Sequence, residues 1–326
     1  MCDAFLLVMP TLGRGSGRRL GHCQEPRDWH EYGGRRLDAG ISKVGVLGCG
    51  LMGAGIAEVC ARRGLDVVVV EIDAAAAERG RDRVLGSMEG AVRRGKLSTD
   101  DFETASKRLS FAHDFDAFAD RDLVVEAVIE NPELKVDAFK RLDAIVRSGD
   151  AILASNTSSI PIMKLATVTD RPAQVIGIHF FNPVPVLPLV ELVPSLMTSA
   201  STEERAAAFA GDMLQKNVIR SKDRAGFVVN ALLIPYLLSA IRMLESGFAT
   251  ADDIDLGMVH GCAHPLGPLA LTDLIGLDTT MAVAESMYSE FKEPLYAPPP
   301  LLCRMVEAGL LGRKTGRGFH SYAKKA

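Results

Sequence analysis

The chain has 326 residues, of which 48% are hydrophobic and 24% are charged. This balance is close to the globular average and excludes a long disordered or collagen-like chain, while the length favours two domains with real cores. Lysine and arginine total 37 against 41 acidic residues, so the net charge of -4 gives no basic field that would attract nucleic acid or acidic lipid.

The apolar and cysteine patterns argue against a membrane span, a metal site and secretion. The longest apolar stretch, Val228 to Ile241, contains Asn230 and Pro235 and is shorter than the roughly 20 residues that a bilayer requires. Six cysteines are scattered without a C-x-x-C pair, which favours free thiols over a disulfide or zinc framework. The apolar run Phe5 to Met9 is too short for a signal-peptide core. We therefore expect a cytoplasmic protein without a metal site.

Residues 1–40 differ in composition from everything that follows them. They contain six arginines, no lysine and the only tryptophan, Trp29, and they show neither helical nor strand periodicity. Arginine enrichment is typical of a transit peptide, but five acidic residues in the same segment argue against one. We expect a flexible N-terminal extension, and a start site assigned too early is an alternative.

A regular pattern begins near Ile41 and predicts a βαβ unit. The apolar run Val44 to Leu47 is followed by a glycine cluster, a helical segment ending at Arg63, and a second apolar run, Val67 to Val70. The cluster has the form G-x-G-x-x-G, which is weak evidence alone and strong evidence between a strand and a helix. We expect a dinucleotide to bind this loop, which consists of Gly48, Cys49, Gly50, Leu51, Met52 and Gly53.

Each glycine of the loop has a predicted role, and an acidic residue follows at the expected distance. Gly48 permits the tight turn, Gly50 lets the backbone approach a pyrophosphate, and Gly53 lets the helix pack on the strand. Glu71 lies 18 residues beyond Gly53, where a carboxylate accepts hydrogen bonds from the adenosine ribose and repels the 2′-phosphate of NADP. The sequence therefore favours NAD, and an ordinary solvated acid is the alternative for Glu71.

Strand and helix patterns alternate to about Ser221, and only helical patterns follow Gly226. A helical stretch covers Ala74 to Lys96. S-x-x-E at Ser201 to Glu204, before the apolar run that starts at Ala206, predicts a capping box that opens one more helix. We expect an α/β protein, with a Rossmann-like NAD-binding domain over residues 41–222 and an all-α C-terminal domain over residues 223–326. The further predicted strands are Leu123–Val125, Ala151–Ala154 and Val175–Ile178, and the later helices are Val228–Leu244, Asp252–Met258, Leu269–Tyr288 and Leu301–Val306.

A histidine and a glutamate stand out as candidates for proton transfer. His179 ends an apolar strand of a sheet whose ligands should gather at the strand carboxyl ends, and histidine titrates near neutrality. Glu191 lies twelve residues later inside the apolar run Leu187 to Val193, where an unpaired carboxylate would be costly. A His179–Glu191 pair resolves that cost, although a hydrogen-bonded core histidine without a catalytic role remains the alternative.

From Val44 to Tyr322 the chain closely resembles the 3-hydroxyacyl-CoA dehydrogenase family, particularly its stand-alone bacterial 3-hydroxybutyryl-CoA dehydrogenases. Seven segments carry the resemblance, in the family's order. They are VGVLGCGLMGAGIAE from Val44, VVEAVIENPELK from Val124, LASNTSSIPI from Leu153, HFFNPVPVLPLVEL from His179, GFVVNALLIPY from Gly226, HPLGP from His264 and LGRKTGRGF from Leu311. The extension and Glu71, where an aspartate is usual, are the main departures.

The resemblance implies NAD-dependent oxidation of an (S)-3-hydroxyacyl-CoA and assigns roles to individual residues. It makes His179 the general base and Glu191 its partner, and it places Ser158 and Asn230 at the substrate's 3-oxygen. It also implies an acyl-CoA substrate and a homodimer formed through the helical domain. The cofactor contacts it adds are Glu130, Lys135, Asn182 and Lys314, and those for coenzyme A are Ser87, Arg93, Arg94 and Lys96.

Three alternatives remain open at this point. The basic cluster at Arg93 to Lys96 is equally typical of a solvated helix C-terminus. A dehydrogenase acting on a free β-hydroxyacid would share the βαβ unit, although the HFFNP and SNTS segments argue against it. An NAD-binding protein without turnover is the third alternative, which the joint presence of the four catalytic candidates disfavours.

Overall fold

Eight strands form one sheet at the centre of the chain. The computed structural model describes residues 39–322, so the predicted flexibility of the extension concerns residues almost wholly outside the described part. The order across the sheet is β3-β2-β1-β4-β5-β6-β7-β8. The strands are β1 (Lys43–Leu47), β2 (Asp66–Val70), β3 (Leu109–Ala112), β4 (Leu123–Glu126), β5 (Ile152–Ser155), β6 (Val175–Phe180), β7 (Leu189–Pro194) and β8 (Asn217–Arg220).

The first six strands are parallel, and the direction reverses at β7. β6 and β7 pair antiparallel, whereas β7 and β8 pair parallel. The central strands are rich in valine, leucine and isoleucine and are buried on both faces, as parallel sheets covered by helices usually are. Because β1 lies between β2 and β4, the chain changes direction across the sheet at β1, which opens a crevice at the strand carboxyl ends.

Eleven α-helices accompany the sheet in the described residues. Three apolar clusters hold them, one on each face of the sheet and a third among the helices that follow Gly226. A π-helical turn, Phe209–Met213, continues α6. The helices are α1 (Leu51–Arg62), α2 (Ala74–Arg93), α3 (Thr99–Ser106), α4 (Pro132–Ile145), α5 (Ile162–Ala166), α6 (Ala200–Ala208), α7 (Val229–Glu245), α8 (Ala251–Cys262), α9 (Pro268–Ile275), α10 (Leu277–Phe291) and α11 (Pro300–Glu307).

The predicted fold class is confirmed, and two local predictions are wrong. α6 begins at Ala200, and its N-cap is Ser199, whose hydroxyl accepts a hydrogen bond from the Thr202 amide. The predicted capping box at Ser201 therefore lies inside the helix. The segment Leu269–Tyr288 is two helices, because Gly276 has φ = +103° and ends α9 before α10 starts.

The segment after Gly226 contains no regular strand among the described residues. Only isolated bridges join Gly312, Arg317 and Ser321 near the end of the described part. Within residues 39–322, no helix has both the length and the apolar character needed to cross a membrane.

Candidate active site at the carboxyl edge of the sheet

The glycine loop connects β1 to α1 and leaves open space where a pyrophosphate would lie. Gly48 has φ = +89°, and a Cβ atom there would meet the Ala127 carbonyl oxygen at 2.9 Å. A Cβ on Gly53 would come within 1.9 Å of the Gly48 oxygen, whereas one on Gly50 would meet no atom within 4 Å. Gly48 and Gly53 are therefore required by the fold, and Gly50 keeps a cradle open at the N-terminus of α1. The loop fits a dinucleotide.

Glu71 folds back onto this loop from the end of β2. Its Oε1 accepts a hydrogen bond from the Cys49 amide at 2.5 Å, and its Oε2 accepts one from the Ile72 amide at 3.2 Å. The Arg83 guanidinium of α2 donates to the Cys49 carbonyl oxygen. Burial raises the pKa of the Cys49 thiol to about 12, and the Glu71 carboxylate adds to the rise. Cys49 is therefore a neutral thiol at physiological pH.

His179 and Glu191 face each other across β6 and β7. They are direct partners in the antiparallel register, and the His179 Nδ1 atom lies 2.7 Å from the Glu191 Oε2 atom. The His179 side chain is nearly buried and the Glu191 side chain is fully buried. Oε1 of Glu191 accepts hydrogen bonds from the Val228 and Val229 amides at the start of α7, at 3.1 and 2.9 Å. The start of α7 thus fixes the carboxylate that orients the imidazole.

The Ser158 hydroxyl contacts the other ring nitrogen of His179, Nε2. Its Oγ atom lies 3.1 Å from Nε2, which leaves the ring held on both sides. The Glu191 contact assigns the proton to Nδ1, so Nε2 accepts from the hydroxyl. Asn230 lies in the first turn of α7, one residue after the Val229 amide that binds Glu191. Its side chain forms no hydrogen bond with any residue that the structure describes, so it is available to a substrate.

A buried ion pair supports the loop that carries Ser158. Lys135 Nζ lies 2.6 Å from Glu126 Oε1, and both side chains are 1% exposed or less. Lys135 also approaches Glu130 at 3.3 Å. Glu130 accepts hydrogen bonds from the Ser158 amide at 3.0 Å and from the Ser159 amide and hydroxyl. Burial raises the pKa of Glu130, but Lys135 and these hydrogen bonds outweigh it and hold the pKa below its ordinary value.

The predicted cofactor contacts differ in their surroundings. Glu130 is about one-third exposed at the cleft, whereas the Lys135 ammonium is enclosed by Glu126, the Val128 carbonyl and Glu130. Asn182 is exposed in the turn after β6. Lys314 is half exposed and forms an ion pair with Asp278 at 2.6 Å. Direct contact of these four residues with NAD stays a prediction.

The predicted coenzyme A residues lie on and beyond the C-terminal half of α2. The Ser87 hydroxyl donates to Glu58 Oε2 at 2.6 Å, so it is anchored to α1. Arg94 and Lys96 are exposed immediately after α2 ends. Arg93, the last residue of α2, is also exposed and lies 3.8 Å from Glu89. The structure therefore places all four residues along one stretch of α2 and its C-terminus, and their contact with coenzyme A stays a prediction.

Sequence reasoning missed several residues that build the site. Arg83 and Glu58 sit within helices whose patterns gave no signal beyond polarity. Glu126 ends an apolar strand, a position comparable to that of His179, and this could have indicated it. The Asn156 side chain accepts from the Phe180 amide at 2.9 Å and so ties the end of β5 to the end of β6.

Comparisons with known proteins cover both halves of the chain. The family model described as the 3-hydroxyacyl-CoA dehydrogenase NAD binding domain matches residues 43–224, and that of the 3-hydroxyacyl-CoA dehydrogenase C-terminal domain matches residues 226–322. A 3-hydroxybutyryl-CoA dehydrogenase from Mycobacterium tuberculosis is 55% identical over 282 residues, covering 86% of this chain and 99% of that protein. The mitochondrial hydroxyacyl-coenzyme A dehydrogenase of Homo sapiens is 41% identical over 290 residues, covering 86% and 91%.

A solved structure agrees with these sequence matches. (S)-3-Hydroxybutyryl-CoA dehydrogenase PaaH1 from Ralstonia eutropha superimposes with a TM-score of 0.83 at 47% identity. The superposition covers 87% of this chain and all of that one. The similarity thus extends over the sheet and the helices that follow it.

Proposed function

Because the chain belongs to the 3-hydroxyacyl-CoA dehydrogenase family and is an NAD-dependent oxidoreductase of that class, we propose that its substrate pair is (S)-3-hydroxybutyryl-CoA and acetoacetyl-CoA. The names of its close relatives support this choice of acyl group. The observation that carries the proposed chemistry is the series of contacts Glu191–His179–Ser158. Glu191 binds Nδ1 of the imidazole, and Nε2 lies next to a hydroxyl group, that of Ser158, as it would lie next to the substrate hydroxyl.

In the proposed mechanism His179 accepts the proton of the substrate hydroxyl at Nε2. Glu191 holds Nδ1, fixes the ring orientation and stabilises the imidazolium that forms. Bound NAD supplies the acceptor for the hydride that leaves C3 of the substrate. Ser158 and the unpartnered Asn230 amide hold the substrate oxygen as it becomes a carbonyl, so positioning and charge stabilisation both lower the barrier.

A single assay tests this function. Absorbance at 340 nm follows NADH consumption with acetoacetyl-CoA, and free acetoacetate at the same concentration is the matched control. We expect turnover of the thioester and little turnover of the free acid. Preference for free acetoacetate would favour a β-hydroxyacid dehydrogenase, and NADH binding without turnover of either compound would favour a binding protein.

We further infer the boundary between an NAD-binding domain over 41–222 and a helical domain over 223–326. Supporting it, the last strand ends at Arg220 and α7 starts at Val229. Homodimerisation through the helical domain is also proposed, supported by apolar side chains that α7 and α8 expose, Leu232 and Leu256 among them. A cytoplasmic location is supported by the free thiols of the four described cysteines.

A further inference from the structure

Phe227 has a backbone conformation that aromatic residues rarely adopt. Its φ is +48°, directly after Gly226 at +83°. Among the residues that the structure describes, it is the only aromatic one with a positive φ. A left-handed backbone is unfavourable for a bulky side chain and persists only where the surrounding contacts impose it. The contacts of Phe227 must therefore compensate for its backbone conformation.

The Phe227 side chain packs against the sheet, although the residue opens the helical part of the chain. Its exposed fraction is 7%, and it belongs to the apolar cluster on one face of the sheet. Every other buried member of that cluster lies within residues 47–193. Phe227 therefore anchors the start of the helical segment to the core of the sheet.

The Phe227 ring also contacts the imidazole of His179. The two ring centroids are 5.4 Å apart, and the ring planes meet at 63°, which makes this an edge contact. The centroid of a second ring, that of Phe181, lies 4.7 Å from the centroid of the imidazole. At these separations packed rings prefer particular relative orientations. The two phenyl rings therefore limit how far the imidazole can rotate.

The backbone of the same segment holds the partner of His179. The amides of Val228 and Val229 both donate to Oε1 of Glu191. Successive amides converge on one anionic group where a left-handed residue adjoins a right-handed one, as Phe227 and Val228 do. The conformation of Phe227 thus directs both amides at the carboxylate.

We propose that Phe227 is a positioning residue for proton transfer, because it holds both members of the His179–Glu191 pair. Its ring restrains the imidazole, and its left-handed backbone directs the amides that fix the carboxylate. Loss of the ring lets the imidazole rotate away from Glu191 and from a bound substrate hydroxyl. The consequence for the reaction rests on the proposed function, whereas the consequence for the pair does not.

Exchange of the His179 Nδ1 proton with water measures the state of the pair without substrate. Nuclear magnetic resonance of the full chain with isotopically labelled histidine detects this proton, and its loss in His179→Gln assigns the signal. We expect exchange at least about tenfold faster in Phe227→Leu than in the wild-type protein, since the imidazole leaves Glu191 more often. Should Phe227→Leu not fold, Phe227→Met fills the same space without a ring and carries the same expectation.

Phe118→Leu is the matched control. Phe118 is fully buried in the same apolar cluster and has an aromatic contact with Phe115, but it lies beside Gly45 of β1. Its truncation should lower the melting temperature comparably, while proton exchange at His179 stays within about twofold of wild type. Equal exchange in Phe227→Leu and the wild-type protein, or equal acceleration by both truncations, would overturn the proposal. So would the absence of the Nδ1 signal from the wild-type spectrum.

Turnover of acetoacetyl-CoA measures the consequence for the reaction. We expect kcat of Phe227→Leu to fall at least about tenfold while KM changes less than about threefold, because the ring acts on alignment and not on binding. With NADH deuterated at the transferred hydrogen, the isotope effect on kcat should rise, since misalignment slows the chemical step. Partial unfolding would lower kcat without changing the isotope effect.

The two measurements separate failure of this proposal from failure of the proposed function. An unchanged kcat in Phe227→Leu, or a lower kcat with an unchanged isotope effect, would overturn the role of Phe227 in the reaction. A wild-type protein that does not turn over the thioester would contradict the proposed function, and proton exchange would still decide whether Phe227 positions the pair.

Discussion

The two ring nitrogens of His179 have different partners, which separates orientation of the ring from transfer of the proton. The Nδ1 contact with Glu191 is buried, and Glu191 itself is held by two backbone amides of α7. The Nε2 contact with Ser158 faces the cleft and is the one that a substrate hydroxyl can replace. A change at His179 should therefore affect chemistry and leave the glycine loop intact.

We expect His179→Gln to lower kcat by at least about 100-fold, the lower end of the usual contribution of a general base. NADH affinity should stay within about threefold of wild type, because the dinucleotide cradle lies at β1 and α1. Stopped-flow turnover and NADH fluorescence titration measure the two quantities. Activity within tenfold of wild type would show that another group accepts the proton.

Glu71 and Arg83 form hydrogen bonds with the two backbone groups of the same residue, Cys49. Glu71 accepts from the Cys49 amide and Arg83 donates to the Cys49 carbonyl. Removing the carboxylate in Glu71→Ala removes a ribose acceptor and the repulsion of a 2′-phosphate, while the Arg83 cation stays in place. We expect weaker NADH binding and a smaller ratio of NADPH to NADH dissociation constants, measured by fluorescence titration. A wild-type preference for NADPH would contradict this interpretation of Glu71.

Among the elements, most strands whose side chains face a core on both sides were predictable from sequence, although the buried strand β7 was identified only as the apolar run Leu187 to Val193. β1, β2, β4, β5 and β6 are runs of buried apolar residues, and each was expected within a few residues. β3 and β8 were missed because these two edge strands of the sheet are only partly buried. Their sequences, LSFA and NVIR, are too short for a clear pattern.

The sequence also predicted one pairing within the site, that of His179 with Glu191, but not the others. The buried position of Glu191 indicated a partner for His179, and the register supplies that partner directly across the strands. Ser158 and Asn230 gave no signal in the pattern and came from family resemblance alone. The network below them, Glu130 with Lys135 and Glu126, depends on contacts that no local sequence period encodes.

The β1–α1 loop permits a comparison of two glycines with different constraints. Gly50→Ala adds a methyl group that meets no protein atom within 4 Å, so the melting temperature should change by less than about 2 °C. NADH affinity should fall at least about tenfold, because the methyl group occupies the pyrophosphate cradle. Gly53→Ala is the matched variant: its Cβ clashes with the Gly48 oxygen at 1.9 Å, and it should lower the melting temperature as well.

Calorimetric melting and NADH titration of both variants measure these effects. Unchanged NADH affinity in Gly50→Ala would show that the pyrophosphate does not lie over this residue. Equal melting temperatures for both variants would show that the loop can move enough to accept a Cβ atom at Gly53 without loss of stability, despite the close contact between Gly48 and Gly53.

At the scale of the whole molecule, the helices after Gly226 leave several large apolar side chains exposed in the described part of the chain. α7 buries Ile234, Leu238 and Ile241 in its own cluster, yet Leu232 on the same helix is 75% exposed. Other exposed apolar side chains in this part are Phe248, Leu256 and Leu274. A closed two-fold pair is the commonest way to cover such a surface.

We therefore expect analytical ultracentrifugation at micromolar concentration to give about 70 kDa, twice the 35.0 kDa of one chain. Leu232→Asp should shift the mass toward the monomer, because an aspartate at the centre of an apolar interface would lose its hydration without a partner. Leu196→Asp is the control, since Leu196 is 96% exposed in the loop after β7 and far along the chain from α7. A wild-type mass near 35 kDa would contradict the dimer. Dissociation caused equally by Leu196→Asp would place the interface on the sheet domain instead.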